Sequence, residues 1–148
     1  MKRVSLQLII YSIICTGIYG CAGNKQTVGV GAELGVGVDP LCTVSVATFN
    51  NHIAPRHCAA VPLPGVNQLL PIYCVNAASA QVFCRMVQAA PNQIRVVQPD
   101  RRVRYDSNLG VVVGTAGEKC GRLIITSAAN GDVVTEFPET ANAPPNCL

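Results

Sequence analysis

Tryptophan does not occur in the 148 residues, and aromatic residues together make up only 5% of the chain. Exposed aromatic platforms, a common means of holding a sugar, are therefore scarce. Past the N-terminal segment, Phe49, Tyr73, Phe83, Tyr105 and Phe137 barely suffice for a core. Charge is sparse as well. Asp, Glu, Lys and Arg account for 13% of the chain, about half the usual quarter. The formal charge is +3, from 11 basic and 8 acidic residues, and removing Lys2 and Arg3 leaves 9 against 8, or +1. So even a balance gives no electrostatic case for binding nucleic acid. No apolar run approaches the roughly 20 residues that a spanning helix needs, so no transmembrane segment is expected. There is no Asn-x-Ser/Thr sequon, and N-glycosylation is not expected.

The motifs of common catalytic chemistries are missing too. Histidine occurs twice, at His52 and His57, beside Cys58. A zinc site needs four ligands, usually in CxxC or HxxxH pairs, and neither spacing occurs. A Cys58–His57 nucleophilic pair would need a free thiol, whereas a cysteine in an even secreted set is expected to be bridged. Asp100, Asp106, Glu118, Asp132, Glu136 and Glu139 could supply the two carboxylates of glycoside hydrolysis, but nothing in their spacing places a pair across a cleft. No GxSxG elbow and no phosphate-binding glycine loop occurs. The sequence predicts a protein that is not an enzyme and takes no metal and no cofactor.

The N-terminus is informative. Met1-Lys2-Arg3 is a short basic start, residues 4–18 are mostly apolar, and small residues follow, which is the pattern of a secretory signal peptide. Cleavage after Ala22 puts Gly20 and Ala22 at the two positions that require small residues. The alternative is a bacterial lipoprotein anchored through Cys21, for which Gly20 fits and the bulky Tyr19 fits poorly. Cleavage after residue 22 removes Cys15 and Cys21 and leaves Cys42, Cys58, Cys74, Cys84, Cys120 and Cys147. Six cysteines in a secreted chain read as three disulfides, with 15 possible connectivities. The expected organisation is a signal peptide over 1–22, a flexible Gly/Val-rich leader over 23–40, and one disulfide-stabilised domain over 41–148.

Within that domain, 41–49 alternates as a half-buried strand, with Cys42, Val44 and Val46 on one face. Residues 50–72 carry Pro55, Pro62, Pro64 and Pro71 and read as a loop unable to hold a regular helix, with a short strand possible at 72–75. Residues 76–90 form the one clear helix, capped by Asn76 or Ser79, ended by Pro91, and with an apolar face of Val82, Phe83, Met86, Val87 and Ala90. Short β runs follow at 93–97, 102–106 and 110–114. Residues 122–137 form a hairpin turning at Asn130-Gly131. The expected class is α+β, one helix packed on a mainly antiparallel sheet with a C-terminal hairpin.

The only basic cluster is Arg101, Arg102 and Arg104. It reads either as a charged guard on an edge strand, as a contact patch for an acidic protein partner, or, after Arg102, as a dibasic processing site.

Residues 55–74, "PRHCAAVPLPGVNQLLPIYC", loosely resemble the stretch of fungal hydrophobins in which a cysteine doublet precedes a proline-glycine-leucine run and a further cysteine. His57-Cys58 stands here where the doublet would be. In organisation, with a signal peptide, small size and six spaced cysteines, the chain resembles the small secreted cysteine-rich effector proteins of plant-associated fungi. That resemblance implies a secreted, extracellular binding protein acting on a host protein. The hydrophobin-like stretch implies instead a surface-active or wall-associated role.

Overall fold

The computed structural model describes residues 39–140. The expected signal peptide, the leader up to residue 38, and Cys147 lie outside the described residues. The fold is the expected α+β domain, with a helix packed on an antiparallel sheet, a C-terminal hairpin and disulfide staples.

Four strands lie in sequence order across one antiparallel sheet: β1 (Ile94–Val97), β2 (Val103–Asn108), β3 (Cys120–Ser127) and β4 (Asn130–Glu139). The runs expected at 93–97 and 102–106 are β1 and β2, paired from Ile94–Asp106 to Val97–Val103. Their turn puts Arg101 at a φ of 70°. The run 110–114 is not a strand. Gly110 takes a φ of 71°, and the amides of Val113 and Gly114 both donate to Glu118 O. Three valines between such turns find no strand to pair with, and only Gly114 forms a bridge, to Leu69.

The C-terminal hairpin is present, but it turns at 128–129, with Ser127 opposite Asn130. Asn130-Gly131 is the start of β4. Gly131 has a different duty: a Cβ there would sit 2.4 Å from Leu41 O. The missing side chain lets residues 41–43 lie along the sheet edge, where Thr43 N donates to Gly131 O and Val133 N donates to Thr43 O.

That edge segment is all that forms of the strand expected over 41–49. Cys42 and Val44 are buried as the alternation requires, but Val46 is exposed. Ser45 ends the extended run because its hydroxyl accepts from Thr48 N at 2.9 Å and caps a helix. Helical chain then runs through α1 (Val46–Thr48), a π-helical turn (Phe49–Ile53) and α2 (Ala54–His57). The expectation of no helix around Pro55 therefore fails. A proline ring clashes with the carbonyl four residues back in a regular α-helix; here the wide π turn immediately precedes it, with Ala54 N donating to Phe49 O. The strand suggested at 72–75 is instead a 3₁₀ turn, Pro71–Tyr73.

The main helix, α3 (Ala77–Ala89), stands where the sequence placed it. Asn76 and Ser79 form a reciprocal capping box, and Pro91 follows the end. Its buried face is Ala80, Phe83, Cys84 and Val87, at i, i+3, i+4 and i+7. Val82, expected in the core, is exposed. The helix sits close over β3 because Gly121 has no side chain: a Cβ there would lie 2.5 Å from Val87 Cγ2 and 2.8 Å from Phe83 Cζ. Tyr105, Leu123, Ile125, Val103 and Ile53 complete the core.

Candidate functional site

The cysteines join the extended segment to the helix and close the proline-rich loop. Cys42 bonds Cys84, and Cys58 bonds Cys74; Cys120 is also disulfide-bonded. The bridge at Cys58 leaves no thiolate for a Cys-His pair. His57 is buried and stacks on Phe137, with ring centroids 5.0 Å apart. Its Nδ1 faces Asn67 O at 3.1 Å, so that nitrogen donates. Burial lowers its pKa to about 4, against the opposing bond to Asn67, with the charges of His52 and Arg56 adding to the lowering. His52 Nε2 lies 3.0 Å from Thr135 Oγ1. Burial, helped by Arg56, depresses its pKa also. Among the described residues no group of His, Cys, Asp and Glu could hold a metal ion.

The three arginines are not gathered into one free patch. Arg101 occupies the β1–β2 turn. Arg102 pairs with exposed Asp100 at 3.4 Å. Arg104 pairs with Asp106 at 2.8 Å, and Asp106 is buried between Arg104 and Arg122, whose Nε lies 2.5 Å away. Arg122 continues to Glu139 at 2.9 Å and lies over the Phe137 ring. This is a chain of two cations and two anions that neutralises itself on the sheet.

The carboxylates are likewise occupied or isolated. Asp39 binds Arg95 and the Tyr105 hydroxyl. Burial would raise its pKa, but those two donors outweigh it and hold the carboxyl low. Tyr105, buried and bonded to that carboxylate, is pushed up to about 12. Glu136 is fully buried opposite Leu123, and neither carboxyl oxygen has a hydrogen-bond partner among the described residues. Burial raises its pKa well above the ordinary value.

The feature without an internal explanation is apolar. Residues 58–84 and 107–117 contain no Asp, Glu, Lys, Arg or His. The two stretches meet: Leu70 N donates to Val113 O, Thr115 N donates to Gln68 O, and Leu69 bridges Gly114. The Cys58–Cys74 bond closes the base of the first. Together they form one pole carrying Val61 (82% exposed), Leu63, Ile72 (68%), Val75 (72%), Val111 and Val112. Next along the chain, the outer face of α3 adds a shallow groove lined by Ala78, Gln81, Val82, Arg85, Met86 and Ala89. Sequence reasoning read this region as proline-rich loop and a strand. The absence of charge from 58–84 was the signal available, whereas its meeting with 107–117 is a tertiary contact that no local pattern announces.

Comparison of the chain with protein-family models, curated proteins and solved structures finds no match.

Proposed function

We propose that the protein is a secreted, non-catalytic, disulfide-stapled binding protein whose contact face is the uncharged loop pole. The carrying observation is the concentration of exposed aliphatic side chains on two charge-free segments fastened together at their bases. Exposed aliphatic residues scattered singly need no explanation, but contiguous ones mark interaction sites. The signal-peptide pattern and the disulfides support an extracellular setting. The arginines support a contact role less well, since Arg102 and Arg104 each have an acidic neighbour on the same chain. A host protein remains the partner that the effector-like organisation implies, and a surface-active role is the reading favoured by the pole itself.

Retention on a butyl matrix tests the face. The chain should be held, and V61D/I72D/V75D should elute early, while R101A/R102A/R104A should elute with the unaltered chain. Equal retention of all three proteins would remove the pole from the account.

A further inference from the structure

We propose that the loop pole inserts shallowly into the apolar layer of a zwitterionic phospholipid surface; this rests on the pole being the contact face, as inferred above. Three observations separate a lipid layer from a protein groove as the occupant.

The first is the state of the backbone. Chain entering a hydrocarbon layer must not carry unsatisfied N–H groups. Pro62, Pro64 and Pro71 have none to satisfy. Several other donors are used internally: Val66 N to Leu63 O, Tyr73 N to Leu70 O, Cys74 N to Pro71 O, Leu70 N to Val113 O, and Val113 N to Glu118 O. The second is side-chain chemistry. Protein–protein hot spots are built from Trp, Tyr and Arg, and this pole presents only Val, Leu and Ile at its exposed positions, with Tyr73 turned inward. Aliphatic side chains give a non-directional attraction that suits a fluid layer and cannot select a partner by hydrogen bonds. The third is charge. With no Lys or Arg on either segment, the pole has nothing to draw it to anionic headgroups, so neutral lipid is the matching surface.

The staples make such insertion inexpensive. The Cys58–Cys74 bond and the Leu69–Gly114 bridge fix the segments that carry Ile72, Val75, Val111 and Val112, so contact need not first order a loose loop. Rigid short tips also limit depth: they reach the boundary region in the manner of interfacial segments, and no described helix is long and apolar enough to cross.

Flotation with phosphatidylcholine vesicles is the test. The chain should float with them equally at low and high salt, and V61D/I72D/V75D should lower the partition coefficient by at least about tenfold. V61S/V75S, a milder change, should give a smaller loss in the same direction. Melting temperatures establish that each variant is folded, which exposed positions should permit. Failure of the unaltered chain to float would overturn the proposal, as would binding confined to phosphatidylserine vesicles and abolished by salt. So would variants that merely dissolve a self-associated form seen by sedimentation without any lipid-bound fraction. A chain retained on the butyl matrix that does not float defeats the lipid assignment and leaves the contact face standing; a chain that does neither defeats both.

Discussion

At the scale of single residues, two buried titratable groups give the stability of this domain opposite dependences on pH. His57 is held at about 4 against an ordinary 6.5. Between those values the folded chain binds fewer protons than the unfolded one, so the contribution is present above 6.5 and is lost as pH falls toward 4. Its size is on the order of 3 kcal/mol. Thermal melts from pH 7 to 4 should show this loss, and H57F, which keeps a ring against Phe137, should flatten that limb. Glu136 acts with the other sign. Its pKa is raised by burial, so the folded chain keeps a proton that the unfolded chain releases above its ordinary 4.5. That contribution is complete below 4.5 and is lost as pH rises through the folded value. E136Q should therefore raise the melting temperature at neutral and alkaline pH and leave it nearly unchanged at pH 4. E136L removes a buried group with no partner, and should stabilise by about 1–3 kcal/mol. A lower melting temperature for both variants at pH 8 would mean that Glu136 has a partner that outweighs its burial.

At the scale of elements, close approach of backbones sets what can be substituted. Gly121 lies directly beneath Phe83 and Val87 of α3. G121A should destabilise by about 1–3 kcal/mol through overpacking, measurable as a lowered denaturant midpoint with unchanged slope. N76A should cost about 1 kcal/mol by removing half of the capping box. These two positions also show what local pattern can and cannot convey. Asn76, Ser79 and Pro91 bound α3 by local chemistry, and the sequence placed that helix to within about one residue. β1, β2 and the existence of the hairpin were equally legible from alternation. The hairpin's turn was not, because Asn130-Gly131 satisfies turn chemistry on paper while Gly131 is needed for contact with Leu41, a residue distant in sequence. The helical stretch 46–57 was hidden by Pro55, whose usual prohibition is relieved by a π turn that no simple periodicity encodes. The valines at 110–114 have strand character but lack a strand partner, and pairing is a property of the whole sheet. Of the candidate site residues, the cysteine pairing for Cys42, Cys58, Cys74 and Cys84 required coordinates. The neighbours of Arg102 and Arg104 lie two residues away in each case, Asp100 and Asp106, and were visible in the sequence.

At the scale of the whole molecule, two bridges hold elements that otherwise touch through few residues. In the chain-entropy view, closing the 16-residue span from Cys58 to Cys74 is worth about 3 kcal/mol, and the 42-residue span from Cys42 to Cys84 about 4 kcal/mol. C58A/C74A should therefore lower stability by roughly the smaller amount and, because it frees the base of the pole, should also weaken retention on the butyl matrix. C42A/C84A should cost more stability and leave retention of the folded fraction unchanged.

The most direct test of the pole as the contact face is hydrogen exchange of the chain held on the butyl surface, compared with the chain in solution. Added protection confined to residues 59–75 and 110–115, with 98–104 exchanging as before, is the expected result. Protection centred on the Arg101–Arg104 turn or spread evenly over the sheet would contradict it.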